Sequence, residues 1–113
     1  MARQRNVQII EKNEGTKIEL TQNNYKLTFG DDDLSFRCDT AQREYPVHRD
    51  ICYDDDGSLI NALGRYYVAQ VDIPPIEYTE TEQDGETVRE AVPLDMADVI
   101  VTLWSIDDMT PTN

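Results

Sequence analysis

The sequence predicts an all-β domain of about seven strands, a sandwich or a partly open barrel, with at most one short helix near residues 58–64. Three observations predict it. Apolar and polar residues alternate with a period of two, and Asn, Asp and Gly pairs interrupt the alternation, as in antiparallel strands joined by tight turns. Two turns, located independently, place the same apolar side chains on one face. Asp84-Gly85 is a strong type I′ hairpin signal in the second half.

An antiparallel meander occupies the first half, with strands expected at about 6–12, 17–22, 25–30, 33–39 and 45–53. A two-residue turn at Asn23-Asn24 sets Leu20 against Leu27 and Ile18 against Phe29, because Asn tolerates positive φ at low cost. A turn at Asp31-Asp32 sets Phe29 against Leu34, Leu27 against Phe36 and Tyr25 against Cys38. A slip of one residue in either register would turn a whole strand's apolar set into water, so the agreement of the two turns is informative. The other face carries Glu19, Lys26, Thr28, Ser35 and Arg37, with the like charges of Lys26 and Arg37 opposed. Upstream, a loop at Asn13-Glu14-Gly15 pairs 7–12 with 16–20 and brings Ile10 beside Ile18 and Glu11 beside Lys17. Tyr45 to Tyr53 alternates as a fifth strand, Pro46 placing its start at a sheet edge. Ser58 to Gly64 has a cap residue, an apolar cluster and a closing glycine, which suit a turn of helix or a structured loop.

The second half reads as one long hairpin, 65–82 with 86–106. The Asp84-Gly85 turn sets Glu80 against Arg89, Thr81 against Val88 and Tyr78 against Ala91; carried past Pro74-Pro75 and Pro93, the same register brings Val68 to Val101 and Tyr66 to Leu103. The base, 65–73 and 97–106, is apolar on both faces and is expected to be central or sandwiched. The tip holds Glu77, Glu80, Glu82, Asp84, Glu86 and Glu90 against Arg89 and has few large apolar side chains, so it is expected to project into solvent. One domain, 1–108, and a frayed tail, 109–113, complete the expected organisation.

The chain's 113 residues carry 23 acids against 10 bases, a net charge of −13. Residues 1–56 hold 12 acids and 8 bases; residues 57–113 hold 11 acids with Arg65 and Arg89 alone. A field of this sign repels phosphate backbones and anionic headgroups, which argues against direct binding of nucleic acid or membrane. No apolar run approaches the roughly 18 residues of a spanning helix. The polar start, Met1 to Asn6, leads into an apolar stretch too short for a secretory signal, so a cytoplasmic protein is expected. Cys38 and Cys52, 14 positions apart and without a CxxC spacing, are expected as free thiols.

No catalytic constellation emerges. His48 is the single imidazole. Cys52 lies roughly 13 Å from it along one strand, too far for proton transfer. A cross-strand contact of His48 with Cys38 would still want a third, orienting group. The five glycines are scattered singly, so no phosphate-cradling loop exists. Asp31, Asp33, Asp54 and Asp56 are candidates for a weak calcium site, but an EF-hand reading of the second run puts Cys52 at the first ligand position and Leu63 at the twelfth. Turn formation explains both runs without metal. These readings predict no enzymatic activity, no cofactor and no resident metal.

What remains is a structural or adaptor module that contacts a protein partner or itself, of the kind found in larger assemblies, phage-type particles included. The expected contact residues are Tyr66, Tyr67, Tyr78, Glu80, Glu82, Asp84, Glu86 and Arg89, since aromatics concentrate at interface centres and the acidic tip is exposed. Two alternatives come from other classes: an acidic mimic of nucleic acid that occupies a DNA-binding protein, which needs carboxylates arrayed on one surface, and the weak calcium module.

Overall fold

In the computed structural model of this chain, residues 6–107 and 109–112 are described; residues 1–5, 108 and 113, which include the polar start and the end of the expected tail, lie outside that range. The molecule is mostly strand, in two packed sheets and a separate hairpin, an open sandwich rather than a closed barrel. No helix of the described residues is long and apolar enough to cross a membrane.

The smaller sheet is the meander core: β2 (Leu20–Asn23), β3 (Lys26–Phe29) and β4 (Leu34–Arg37), in that order. The β3–β4 register is the expected one, with Leu27 opposite Phe36 and Phe29 opposite Leu34. The β2–β3 register differs by two residues: Leu20 opposes Phe29, so the turn is Asn24-Tyr25 and not Asn23-Asn24. Asn24 adopts φ 57° there. A shift of two keeps every side chain on its face, so Leu20, Leu27, Phe29, Leu34 and Phe36 still line one apolar wall, with Leu27 and Phe29 fully buried. Lys26 and Arg37 do oppose each other. The Arg37 guanidinium turns aside to grip Asp39, Nε on Oδ1 at 3.0 Å and Nη2 on Oδ2 at 2.7 Å. A single helical turn, α1 (Cys38–Ala41), follows at the point where Cys38 drops into the core.

The larger sheet contains β1 (Gln8–Glu11), β5 (Val47–Tyr53), β6 (Leu59–Ile60), β7 (Tyr66–Ile73) and β10 (Ile100–Leu103) in the order β1-β10-β7-β5-β6, with β11 (Thr110–Pro111) also on β7. As expected, the hairpin base is central: β10 lies between β1 and β7, and β7 between β10 and β5. Val71, Val101, Ile51 and Ala69 face the meander wall and complete one core with it.

Three expectations about this sheet are corrected, and residues 58–64, open between a helical turn and a loop, take neither form throughout but include a short strand. β1 does not fold back on residues 16–20; it pairs parallel with β10, Ile9 beside Val101. Asn13 to Lys17 instead cross from one sheet to the other, held by Ser105 N–H on Asn13 Oδ1 at 2.6 Å and by Thr16 N–H on Asp107 Oδ2 at 2.8 Å. Gly15 is needed there: at φ 119°, an added Cβ would sit 2.3 Å from Ser105 Oγ. The strand at 45–53 pairs with β7, not with the meander; the register shifts between the Ile51–Ala69 and Cys52–Tyr67 pairs, leaving Val68 as the extra residue on β7. Residues 58–64 hold no helix; Leu59 and Ile60 pair with Tyr53 and Cys52 once Asp54 closes the turn, its Oδ1 accepting from Asp56 and Ser58 N–H at 2.9 Å each. In the hairpin base Val101 opposes Val71 instead of Val68. That three-residue displacement matches the three residues Met96–Asp98, which wind into a 3₁₀ turn capped by the Asp95 carboxylate and bury Met96.

Within the expected tail, residues 110–112 are held rather than frayed. Thr110 and Pro111 pair with Tyr67 and Tyr66, and the Thr112 hydroxyl donates to the Gly64 carbonyl at 2.7 Å.

Candidate functional site

The acidic hairpin is built as its sequence implies. Asp84 and Gly85 take φ 52° and 78°, as a type I′ turn requires. The flanking strands, β8 (Tyr78–Gln83) and β9 (Glu86–Ala91), pair in the expected register, with Tyr78 opposite Ala91, Glu80 opposite Arg89 and Thr81 opposite Val88. They form a sheet of their own, pairing with no other described strand. From Thr79 to Ala91 the hairpin is exposed except at the half-buried Val88.

Its root is fastened at several points. The Tyr78 hydroxyl donates to Glu44 Oε1 at 2.6 Å, which pushes its pKa upward. The Arg89 guanidinium lies 3.8 Å from the centre of the Tyr78 ring. Ile76 N–H donates to the Arg43 carbonyl, and Val92 N–H to that of Glu77, both at 2.8 Å. Pro74, Pro75 and Pro93 line a cavity of about 220 Å³ at this junction, together with Leu94, Gln42 and Glu77. The rings carry no N–H, so the ladder ends there and the arm leaves the body at a defined place.

Period two divides the acids of the arm. Glu80 and Glu82 share a face with Tyr78 and Arg89; Glu86 and Glu90 lie on the opposite face with Thr79, Thr81 and Val88. The arm therefore offers no one-sided row of carboxylates of the kind a nucleic-acid mimic needs.

Tyr66 and Tyr67 stand at the far end of β7 from the arm, so the expected contact residues form two groups. Tyr67 stacks on Trp104 with centroids 5.0 Å apart. Tyr66 lies under Arg65, whose Nε donates to the Tyr66 hydroxyl at 3.2 Å while Nη1 donates to Asp55 at 3.1 Å. With β11 paired along them, both rings are half-buried and engaged.

The Asp runs lie in separate loops, Asp31 and Asp33 between β3 and β4, Asp54 and Asp56 between β5 and β6. No group of three His, Cys, Asp or Glu among the described residues is arranged to hold a metal ion. Both cysteines are free and buried, and desolvation raises their thiol pKa values, that of Cys38 to about 12. A thiolate is disfavoured at both.

One cluster escaped the sequence reading. His48 Nδ1 lies 2.7 Å from Asp72 Oδ1 and Nε2 lies 3.0 Å from Asp50 Oδ1, while Gln70 Nε2 donates to the same Asp50 oxygen at 2.9 Å. His48 and Asp50, two apart on a strand, visibly share a face. Asp72 and Gln70 join them only through the β5–β7 ladder, which pairs His48 with Asp72 and Asp50 with Gln70. His48 therefore faces carboxylates and not Cys38. No family model, no curated protein and no solved structure matches this chain.

Proposed function

We propose that this chain is a non-enzymatic, cytoplasmic contact module that joins a larger protein assembly, with the β8–β9 arm as its reaching element. The observation that carries the reading is the exposed, separately paired arm. An isolated two-stranded ribbon is marginal in water and needs at least a third strand or a packed face to be independently stable. This one contributes almost nothing to the core, yet it is ordered by its Asp-Gly turn and by the Tyr78 and Arg89 contacts at its root. A costly element without a core role is explained by something outside the domain. Glu80, Glu82, Glu86 and Glu90 on its two faces suit a partner that presents a basic cleft enclosing both sides. Two free, buried thiols suit a reducing compartment.

Site-specific photocross-linking in the native host tests the proposal. A photoreactive residue at Thr81 or Val88 is expected to capture a defined protein, and capture is expected to fall when Glu80, Glu82 and Glu86 are changed to Gln. The same residue at Ser35, on the exposed face of the meander, serves as the comparison. Equal capture from Ser35 and the arm, or none from the arm, overturns it.

A further inference from the structure

The larger sheet ends at β1, and among the described residues only β10 pairs with that strand. Gln8 and Lys12 N–H donate to the Val99 and Leu103 carbonyls, each at 2.9 Å. Backbone groups alternate in direction along a strand, so the N–H and C=O of Ile9 and Glu11 point away from the sheet. β1 is short, four residues, and carries one charge, Glu11, but it contains no proline and no bulge, and Ile9 and Ile10 are 54% and 46% exposed. Val7 N–H, the next outward donor upstream, is already taken by Gln22 Oε1 at 3.0 Å. The open stretch is therefore confined to Ile9–Glu11.

We propose that β1 pairs antiparallel with β1 of a second copy of this chain about a two-fold axis at Ile10, joining the two larger sheets edge to edge. Ile9 and Glu11 of each copy then exchange N–H···O=C bonds with Glu11 and Ile9 of the other, about four in all. The two Ile10 side chains meet at the non-hydrogen-bonded position, where cross-strand side chains approach most closely. Gln8 faces Lys12, Ile9 faces the stem of Glu11, and no like charges stand directly opposite. A foreign strand would have to supply each of these complements; β1 supplies them itself. Against the pairing stands the repulsion of two chains of charge −13, so the dimer is weak at low ionic strength and strengthens as salt screens it.

This inference narrows the contact reading above to one edge and rests on it only in general. An arm that cross-links while the chain stays monomeric overturns the edge alone, and a dimer with a silent arm does the reverse. Sedimentation equilibrium of the full chain from about 10 μM to 1 mM is expected to show monomer passing to dimer, at lower concentration in about 0.15 M salt than in low salt. Ile10→Lys, which sets like charges on the axis, and Ile9→Pro, which deletes an outward N–H that β10 does not use, are each expected to weaken the dimer at least tenfold. Unchanged near-ultraviolet circular dichroism would confirm that they fold. Should either variant unfold, the unaltered chain still decides, because Ile9 and Glu11 amides must gain exchange protection with concentration. A strict monomer at 1 mM, a dimer indifferent to both folded variants, or no concentration-dependent protection overturns the proposal.

Discussion

His48 shows how two carboxylates can dictate a protonation state. Ionised carboxylates only accept hydrogen bonds, so an imidazole whose two nitrogens face Asp72 and Asp50 satisfies both only when each nitrogen carries a proton. Accordingly the pKa of His48 is raised, chiefly by the Asp72 hydrogen bond, with Asp50 adding to it and desolvation opposing. A folded-state pKa above the unfolded value means that the stabilisation is fully present below about pH 6.5 and is lost as pH rises through the folded value. At 46% exposure of the His48 side chain, the effect stays under about 1 kcal/mol. NMR titration of the His48 ring is expected to give a pKa above the ordinary histidine value, and Asp72→Asn is expected to lower it. A midpoint unmoved by that change would refute the bridge. Asp72 could not be named from the sequence because it lies 24 positions away, and the partner of the 45–53 strand was not implied by any turn.

Among the elements, legibility followed the reach of the interaction. Asp31-Asp32 and Asp84-Gly85 act over a few residues, and the ladders beside them have the anticipated partners. The turn lies one position later than expected, at Asn24-Tyr25, and moves the register by two, because either Asn can take positive φ; only the cross-strand pairing selects Asn24. β1 was misassigned for a different reason. Glu11 and Lys17 do approach, at 4.0 Å, as the hairpin reading required, yet β1 follows the apolar edge of β10, 92 positions away in register. The 3₁₀ turn at Met96–Asp98 has no strong local signature, so the hairpin base was expected three residues out of place. Its anchor is Met96, 1% exposed within the core. Met96→Ala is expected to cost about 2–5 kcal/mol in denaturant unfolding through loss of apolar contact and the cavity left behind. A loss below about 1 kcal/mol would mean that the turn is not what secures the offset.

At the scale of the molecule, the arm dominates the outline. The Cα extents are 59 × 26 × 22 Å with a radius of gyration of 16.7 Å, against about 13–14 Å for a compact domain of similar length. Replacing residues 79–90 by a short turn is expected to lower the radius of gyration in small-angle scattering by about 2 Å, toward that compact value. The midpoint of thermal unfolding is expected to move by no more than a few degrees, because these residues bury little. A collapse of cooperativity on excision would show that the arm supports the core after all. Fold class was readable at this scale because alternation and turns are repeated many times along the chain, whereas the contact residues were read from exposure and residue type alone. Tyr66 and Tyr67 show the weakness of that inference: β11, the Trp104 ring and Arg65 already occupy them.

The parallel union of β1 with β10 bears on how the protein is born. On a ribosome Gln8–Glu11 emerge well before Ile100–Leu103 and must wait for them, whereas the meander has its partners within a few dozen residues. Gln8–Glu11 therefore stay without their partner strand while the residues up to Ile100–Leu103 are translated, a window in which chaperones, or a neighbouring chain on the same message, can reach that segment first.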